Sequence, residues 1–357
     1  MKAWQITTPE SGLQLAELPD PELRGGGATL DILAVQIPAY TADLVAGGRG
    51  GFPLPIVLGA AGIGRVTATA DDVFGVRQGD IAVATGLFRS GRASAPEEAL
   101  LGWTGIGGDG RPTPTTDRMR DVWRNGLCAE RALQPERTLL ALPGAETYKA
   151  TEQLAFLPWL GIAGAGIERA EVRAGQTVAI VGATGQLGSA AVLVALARGA
   201  AAVVAIGRNR DALDALAGID PRVIPVALTG DRGVDGPAIL AAAGPVDAVI
   251  DTLGAAPTPE PTMSAYQAIR TDGQWVLVGG VRQDLPIPYS DFMHRRLTLH
   301  GSWMCSDNTI LDLWSMVRAG VIDLSLLDIQ IVGLDDPAAA LTAASHRHGL
   351  EIVVLMP

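Results

Sequence analysis

One stretch of the chain, Thr177–Arg210, constrains the fold more than any other. It opens with a short apolar run, Val178–Val181, which is rich in β-branched residues and predicts a buried strand. A glycine-rich turn follows, and then Ser189–Arg198, which consists almost entirely of helix formers and is followed by a glycine that can end a helix. A second apolar run, Ala202–Ile206, predicts a second strand. The stretch therefore predicts a strand–helix–strand unit.

The turn in this unit has the composition of a dinucleotide-binding turn. Gly182 and Gly185 have no side chains, so a pyrophosphate can approach the backbone, and Gly188 lets the helix pack close to the strand. The first amides of the helix and the positive end of its dipole would hold the phosphates. A tight turn that binds nothing is the alternative, but the strand before and the helix after favour the dinucleotide. The residues predicted to contact it here are Gly182, Ala183, Thr184, Gly185, Gln186 and Leu187.

The end of the second predicted strand indicates which dinucleotide binds. An NAD site usually has Asp or Glu about 20 residues beyond the glycines, to bind the ribose 2′-hydroxyl. This chain has Gly207, Arg208, Asn209 and Arg210 instead. Without a carboxylate a 2′-phosphate is not repelled, and two guanidinium groups would attract it. We therefore predict that the cofactor is NADP(H), the alternative being a solvated basic loop that caps the next helix.

Composition restricts the partners of the chain. Its 357 residues suffice for two domains of about 150 residues each. The net charge of −11 argues against nucleic acid or an anionic membrane as a partner. No apolar run reaches the ~18 residues of a membrane span, and the first residues lack the apolar core of a signal peptide. With only Cys128 and Cys305, a disulfide framework is impossible, so we expect a cytoplasmic protein that acts on small molecules.

The chain divides into segments of different character. Residues 1–145 contain short strand-like runs broken by Gly and Pro, which predict an antiparallel barrel or sandwich, and residues 89–124 within them resemble a long surface excursion. In residues 146–302, strands and helices alternate, which predicts a doubly wound parallel sheet. Residues 303–357 are expected to return and complete the first domain.

Four motifs resemble those of the medium-chain dehydrogenase/reductase superfamily. Pro55–Val66 resembles its P-x-x-x-G-x-E-G-x-G-x-V motif, and Asn125–Glu130 its G-x-x-A-E segment. Gly182–Gly188 resembles A-x-x-G-x-x-G, and Ile250–Gly254 resembles the I-D-x-x-G strand end. The resemblance runs through the whole chain. It implies an α/β fold, with a Rossmann doubly wound parallel sheet and a GroES-like antiparallel β-barrel that forms the catalytic domain.

Zinc-dependent members of that superfamily have ligands that this chain lacks. Their G-H-E position reads Gly59-Ala60-Ala61 here, and the segment that usually carries the first cysteine reads Gln36–Asp43. No cysteine precedes Cys128, and the four histidines do not have the spacing of zinc ligands. We therefore predict no metal. The sequence resembles the zinc-independent branch, which includes quinone oxidoreductases and enoyl reductases.

The predicted function follows from hydride transfer without a Lewis acid. A conjugated carbonyl accepts hydride at its far carbon and leaves an enolate, whereas alcohol oxidation must form an alkoxide. We therefore expect a zinc-independent NADPH-dependent oxidoreductase that transfers hydride to an enone or quinone. The alternatives are a zinc-free alcohol or ketone dehydrogenase of small metabolites, and a non-catalytic NADPH-binding protein or reductase partner acting in trans. Relatives often form dimers through sheet-edge pairing, so the resemblance also implies a homodimer.

The resemblance also implies residues around the nicotinamide and the substrate. Tyr40 is the candidate proton donor, because a phenol can protonate an enolate. In the alternative interpretation its ring only packs, and water supplies the proton. Tyr40, Trp159 and Trp303 are the predicted walls of the substrate pocket, although large aromatic residues also occur in cores. The further cofactor residues implied are Thr252, Leu253, Gly279, Gly280, Val281, Ser302 and Trp303.

Overall fold

The computed structural model of the chain describes residues 1–48 and 51–357. These residues form two units, each with its own sheet system. The first unit comprises Met1–Pro158, Leu324–Arg347 and Glu351–Pro357, and the second comprises Trp159–Asp323 and His348–Leu350. The main boundaries between the units therefore fall at 158/159 and 323/324, rather than at the predicted 145/146 and 302/303.

The described residues form the following regular elements. The strands are β1 (Lys2–Ile6), β2 (Gln14–Glu17), β3 (Gly27–Ile37), β4 (Ile56–Val57), β5 (Gly62–Thr69), β6 (Ile81–Ala84), β7 (Leu87–Arg89), β8 (Glu98–Leu100), β9 (Arg131–Pro135), β10 (Leu139–Ala141), β11 (Thr177–Val181), β12 (Ala202–Gly207), β13 (Val223–Ala227), β14 (Val246–Asp251), β15 (Ile269–Leu277), β16 (Thr298–Gly301), β17 (Asp328–Val332) and β18 (Glu351–Leu355). The α-helices are α1 (Thr41–Val45), α2 (Pro114–Val122), α3 (Leu157–Arg169), α4 (Gln186–Ala197), α5 (Arg210–Ala217), α6 (Arg232–Ala243), α7 (Glu260–Ala268), α8 (Tyr289–His294), α9 (Asp307–Arg318) and α10 (Pro337–Ser345).

The second unit is built on a parallel sheet, which confirms the predicted Rossmann-like fold. Its strand order is β13-β12-β11-β14-β15-β16, and each neighbouring pair is parallel. The central strand β11 is apolar on both faces because helices cover both sides of such a sheet. The chain leaves β11 in one direction toward β12 and later returns to its other side with β14. Ligands of doubly wound sheets bind at such a reversal of strand order, beyond the carboxyl ends of the strands.

Close packing of α9 on α3 explains why the second unit extends beyond residue 302. A Cβ atom added to Gly161 would lie 3.0 Å from Cγ1 of Ile310, and one added to Gly164 would lie 2.9 Å from Cδ1 of Leu313. The two glycines thus let α9 approach the backbone of α3. Leu313 is fully buried in this contact. Because α9 is part of this core, the return to the first unit begins only at Leu324.

The first unit contains mixed, mainly antiparallel sheets. Strands β1 and β2 form an antiparallel hairpin, and β4 pairs with the other side of β1. The larger sheet has the order β10-β6-β5-β3-β18-β17, and β9 also pairs with β3. Within it β17 and β18 are parallel, because α10 connects them. The two strands β17 and β18 of the return segment therefore belong to the sheet of the first unit.

The predicted surface excursion at residues 89–124 has regular structure of its own. Strands β7 and β8 pair antiparallel, and α2 follows. Thr113 forms the N-cap of α2, where its Oγ1 accepts a hydrogen bond from the backbone N–H of Thr116 at 3.1 Å. None of the helices formed by residues 1–48 and 51–357 is both long enough and apolar enough to cross a membrane.

Candidate functional site

Two of the glycines in the turn after β11 are required by the chain itself. Gly182 has a φ of +80°, and a Cβ there would lie 3.2 Å from the backbone N of Leu253. At Gly188, a Cβ would lie only 2.1 Å from the carbonyl oxygen of Gly182. The amides of Gly182 and Ala183 both donate to the carbonyl of Ile206, at 2.9 and 3.0 Å. The turn is therefore fixed between β12 and the start of α4.

Gly185 differs from these two, because its surroundings are open. Its φ is −86°, which any residue can adopt, and an added Cβ would meet only the carbonyl oxygen of Gly182, at 3.4 Å. It is exposed and forms the N-cap of α4 without a side-chain cap. The first amides of a helix have no carbonyl partner within the helix. A small residue at this position leaves them accessible to an anion, as a diphosphate site requires.

A cavity of about 320 Å³ lies against this turn and the neighbouring strand ends. No Asp or Glu is among the described residues that line it, although the chain as a whole is acidic. Its lining therefore suits a ligand that carries phosphates. The lining residues are Gly182, Thr184, Gly185, Gly207, Arg208, Asn209, Leu228, Thr252, Leu253, Gly254, Pro261 and His348.

The basic residues after β12 occupy different positions. Arg208 lines the cavity, as does Asn209. The side-chain oxygen of Asn209 also accepts a hydrogen bond from the amide of Ala212 at 3.2 Å, and thus caps α5. Arg210 is the first residue of α5 and is not among the lining residues. The structure therefore brings Arg208, rather than Arg210, to the cavity that we assign to the dinucleotide.

The loop after β14 forms the opposite wall. Thr252 donates its hydroxyl to the carbonyl of Val181 at 2.6 Å, and the amide of Leu253 donates to Oδ1 of Asp251 at 2.9 Å. Asp251 itself is buried, and this burial raises the pKa of its carboxyl to about 6, although hydrogen bonds from Thr262 and Leu253 lower the pKa. The buried carboxyl therefore holds the loop that carries Thr252 and Leu253 into the cavity wall.

The glycines predicted near the nicotinamide lie beside this loop. The amide of Gly279 donates to the carbonyl of Asp251 at 2.9 Å, and that of Gly280 donates to the carbonyl of Leu253 at 2.7 Å. A Cβ at Gly279 would lie 2.0 Å from the carbonyl oxygen of Leu253, so this position requires glycine. Val281 follows directly. The contacts of these three residues with a nicotinamide stay a prediction.

Ser302 and Trp303 follow the edge strand β16. Ser302 is buried, its amide donates to the carbonyl of Leu277 at 2.9 Å, and its hydroxyl oxygen has no partner among the described residues. The side chain of Trp303 is 43% exposed. Trp159, at the start of α3, belongs to the same unit, whereas Tyr40 belongs to the first unit. The substrate pocket predicted from Tyr40 and the two tryptophans therefore stays a prediction.

Tyr40 occupies the N-cap position of the short helix α1. The edge of its ring packs against Trp103, with ring centroids 6.1 Å apart and an angle of 75° between the planes. Aromatic pairs favour this arrangement. The ring of Tyr40 thus packs against Trp103, and whether its hydroxyl or water supplies the proton stays a prediction.

His348 is a lining residue that the sequence did not reveal. It precedes β18 by only a few residues, and no local motif marks it. The adjacent Gly349 is buried, and a Cβ there would lie 3.3 Å from Oγ of Ser189. A contact between residues so far apart in the chain has no signal in the sequence.

The positions at which zinc-dependent relatives bind a catalytic metal do not offer a set of ligands here. Ala60 and Ala61 have no donor atoms, and Gly59 lies against Cys128, since a Cβ at Gly59 would be 2.8 Å from the Cys128 sulfur. Burial raises the pKa of the Cys128 thiol, which disfavours the thiolate that binds zinc. Gln36 is buried, and its amide nitrogen and oxygen have no hydrogen-bond partners among the described residues. Residues 1–48 and 51–357 contain no cluster of three or more His, Cys, Asp or Glu that could hold a metal ion.

Comparison with known proteins relates the chain to dehydrogenases. Residues 187–319 match the family described as "Zinc-binding dehydrogenase". An NAD-dependent alcohol dehydrogenase of Sulfurisphaera tokodaii is 23% identical over 337 residues, which are 90% of each chain.

Solved structures of similar fold cover the whole chain. A protein of Sinorhizobium meliloti, assigned as a zinc-binding dehydrogenase and bound to NADP, is 19% identical with a TM-score of 0.82, over 100% of this chain and 99% of that one. The 2R,3R-butanediol dehydrogenase of Bacillus subtilis is 18% identical with a TM-score of 0.81, with the same coverage. The chain thus has the medium-chain dehydrogenase fold throughout, and its residues 187–319 match the zinc-binding dehydrogenase family.

Proposed function

We propose that this protein is a zinc-independent oxidoreductase that uses NADPH to reduce a conjugated carbonyl, an enone or a quinone. The observation that carries the proposal is the pairing of two features. A cavity whose described lining has no carboxylates adjoins a glycine turn at the start of a helix. The family's G-H-E position reads Gly59-Ala60-Ala61, and the segment that usually carries the first cysteine ligand, Gln36–Asp43, has no cysteine. The first feature suits a dinucleotide, and the second does not suit zinc.

Named residues would hold the cofactor. The backbone amides from Gly185 onward would bind the pyrophosphate, and Arg208 would bind the 2′-phosphate, because a guanidinium is always charged and can donate two parallel hydrogen bonds. The relative from Sinorhizobium meliloti is bound to NADP, whereas the relative from Sulfurisphaera tokodaii is described as NAD-dependent. Our preference for NADP therefore rests on Arg208 and on the absence of a carboxylate from the described lining.

The bound dinucleotide would supply the hydride, and the protein would supply position and a proton. Holding the hydride donor and the hydride acceptor in contact removes the entropy cost of bringing them together. This lowers the activation free energy by several kcal/mol, as an order of magnitude. In our proposal the hydroxyl of Tyr40 donates the proton, or a hydrogen bond, to the substrate after hydride arrives. Because Tyr40 is already fixed by packing against Trp103, its hydroxyl would need little reorganisation.

A second candidate is a zinc-free alcohol or ketone dehydrogenase of small metabolites, which the names of the similar proteins favour. Oxidation of NADPH, followed in the presence of quinones, enones and simple ketones, separates the two. We expect turnover with a quinone or an enone and none with ketones. Turnover with ketones alone would establish the second candidate, and binding without any turnover would indicate a non-catalytic protein.

Metal independence has its own test. We expect the activity to survive dialysis against a strong chelator, and elemental analysis of the active protein to find much less than one zinc per chain. Stoichiometric zinc that is needed for activity would overturn the proposal. We also propose that the protein works in the reducing cytosol, because two cysteines, Cys128 and Cys305, are too few for a framework of disulfides.

A further inference from the structure

The short segment His348–Leu350 departs from the chain around it. Residues on both sides of it belong to the first unit, but the segment itself belongs to the second. Its middle residue, Gly349, is buried with a φ of +61°, and a Cβ there would lie 3.3 Å from Oγ of Ser189 and 3.6 Å from the carbonyl oxygen of Thr184. The segment therefore rests on the glycine turn and the first turn of α4, where a pyrophosphate would bind.

His348 is the first residue of this segment. Its side chain lines the 320 Å³ cavity together with Thr184 and Gly185, and it is exposed. Arg208 is the other described lining residue that can carry a positive charge, and no described lining residue carries a negative one. Gly349, the residue after His348, lies against Thr184 and Ser189 beside the turn that would bind the pyrophosphate, whereas Arg208 follows β12.

We propose that His348 binds the pyrophosphate of the dinucleotide in its protonated form, so that binding of the cofactor takes up a proton. The inference rests on the proposed function, because it requires a dinucleotide in this cavity. An imidazolium is positively charged and donates from both ring nitrogens, whereas a neutral imidazole donates from one. Histidine side chains change charge between pH 5 and 8, so the affinity for the dinucleotide rises as the pH falls.

The other charged groups near the cavity could also make dinucleotide binding depend on pH. Arg208 keeps its charge at every accessible pH. Asp251 is buried behind the Thr252–Leu253 wall, and its carboxyl is engaged by Thr262 and by the amide of Leu253. It titrates in the same range, with a pKa of about 6, and so needs its own control. The first turn of α4, Gln186–Ser189, has no charged side chain, and neither Gly349 nor Leu350 is charged.

The experiment uses NADH, although NADPH is the proposed cofactor. NADH lacks the 2′-phosphate, whose second ionisation near pH 6 would itself make binding depend on pH. The dissociation constant is measured by calorimetry between pH 6 and 8.5, in two buffers with different heats of ionisation. For the wild type we expect about tenfold tighter binding at pH 6 than at pH 8.5, with net proton uptake, since a charged hydrogen bond is worth that much.

Variants identify the residue responsible. We expect His348→Gln to abolish both the pH dependence and the proton uptake, and His348→Arg to bind NADH at pH 8.5 as tightly as the wild type does at pH 6. His346→Gln, which changes a neighbouring exposed histidine outside the cavity, and Asp251→Asn should both keep the pH dependence. Because His348 is exposed, its variants should melt at the wild-type temperature.

Two results would overturn the inference without touching the proposed function. These are a pH-independent affinity in the wild type, and a His348→Gln variant that keeps the wild-type slope. If Asp251→Asn alone removes the slope, the proton belongs to Asp251 and the inference is also wrong. A wild-type protein that binds neither NADH nor NADPH would instead overturn the proposed function, and this inference with it.

Discussion

The carboxyl of Asp251, at the end of β14, accepts a hydrogen bond from the hydroxyl of Thr262 in α7. Its other oxygen accepts from the amide of Leu253 at 2.9 Å, and its backbone carbonyl accepts from the amide of Gly279, also at 2.9 Å. One residue thus ties together a helix and the two loops that follow β14 and β15. The wall of the candidate cofactor cavity depends on these bonds.

The titration of Asp251 predicts a pH-dependent stability. Burial raises its pKa in the folded protein to about 6, above the value near 3.9 of an unfolded chain. Such a group stabilises the fold below the unfolded pKa, and this contribution is lost as the pH rises through about 6. Asp251→Asn removes the titrating carboxyl, so we expect the variant not to lose this stability as the pH rises. The difference in free energy of unfolding, variant minus wild type, should therefore be about 2 kcal/mol larger at pH 7.5 than at pH 4.5.

Urea denaturation of both proteins at the two pH values measures this difference. Thr262→Val is the matched variant, because it removes a hydrogen bond that lowers the pKa of Asp251. It should therefore lose more stability at pH 7.5 than at pH 4.5. A difference between Asp251→Asn and wild type that stays constant with pH would contradict the assignment of a raised pKa.

The two kinds of glycine in the dinucleotide turn predict opposite phenotypes. Gly188→Ala would place a methyl group 2.1 Å from the carbonyl oxygen of Gly182, so we expect a loss of about 3 kcal/mol of stability or a failure to fold. Gly185→Ala meets no such obstacle and should fold within about 1 kcal/mol of wild type. Its methyl group would nevertheless obstruct the approach of a pyrophosphate and weaken NADPH binding by about tenfold or more. Thermal melts and calorimetry test the pair, and equal losses of stability in the two variants would contradict the distinction between the crowded and the open glycine.

Arg208 should determine the preference for NADPH over NADH. We expect Arg208→Ala to weaken NADPH binding by about 10- to 100-fold and NADH binding only slightly, because it removes charged hydrogen bonds to the 2′-phosphate alone. Arg210→Ala is the matched control, since Arg210 does not line the cavity, and its effect on NADPH should be smaller. Fluorescence titration measures the affinity of each variant for NADPH and for NADH. Equal losses of NADPH and NADH affinity in Arg208→Ala would refute the 2′-phosphate assignment.

Tyr40→Phe tests the proton donor. The substitution keeps the ring and its edge contact with Trp103, so the fold and cofactor affinity should not change. We expect kcat to fall by about 100-fold, the usual contribution of a positioned acid. Steady-state kinetics with the best enone or quinone give the result. An unchanged kcat would remove Tyr40 as the donor and leave water in that role.

The edge strand β16 predicts self-association. It pairs with β15 on one side, has no partner strand on the other in the described part of the chain, and exposes 38% of Leu299. We propose that it pairs with β16 of a second copy, because exposed sheet edges tend to pair. Leu299→Asp should yield monomers in sedimentation experiments. The control is Leu15→Asp, which changes an equally exposed leucine in the edge strand β2 of the other unit and should leave the dimer intact. A monomeric wild type would contradict the prediction.

Local sequence patterns predicted most of the helices and strands, but they predicted fewer of the residues at which these begin and end. The two strands around the glycine turn were predicted to within one residue, because the alternation of apolar runs, glycines and helix formers is strongest there. The helix between them, α4, begins at Gln186, three residues before the predicted Ser189. The sequence of Thr262–Arg270 predicts a helix, whereas α7 ends at Ala268 and β15 begins at Ile269. Pairing of β15 with the largely buried strand β14 overrides the weak local preference of Ile269 and Arg270 for a helix. The short helix α8 has no buried residues, and so no apolar periodicity marks it in the sequence.

The sequence by itself determined the turn that can receive a diphosphate, since strand, glycines and helix are contiguous and their geometry depends on neighbouring residues alone. It likewise determined that Ala60 and Ala61 cannot ligate a metal, because that is a property of the side chains. Only the tertiary structure decided that Arg208 rather than Arg210 faces the cavity, that Asp251 is buried enough to hold its proton near pH 6, and that His348 reaches the same turn. These facts depend on burial and on contacts between distant residues, which arise only when the sheet and its helices are packed.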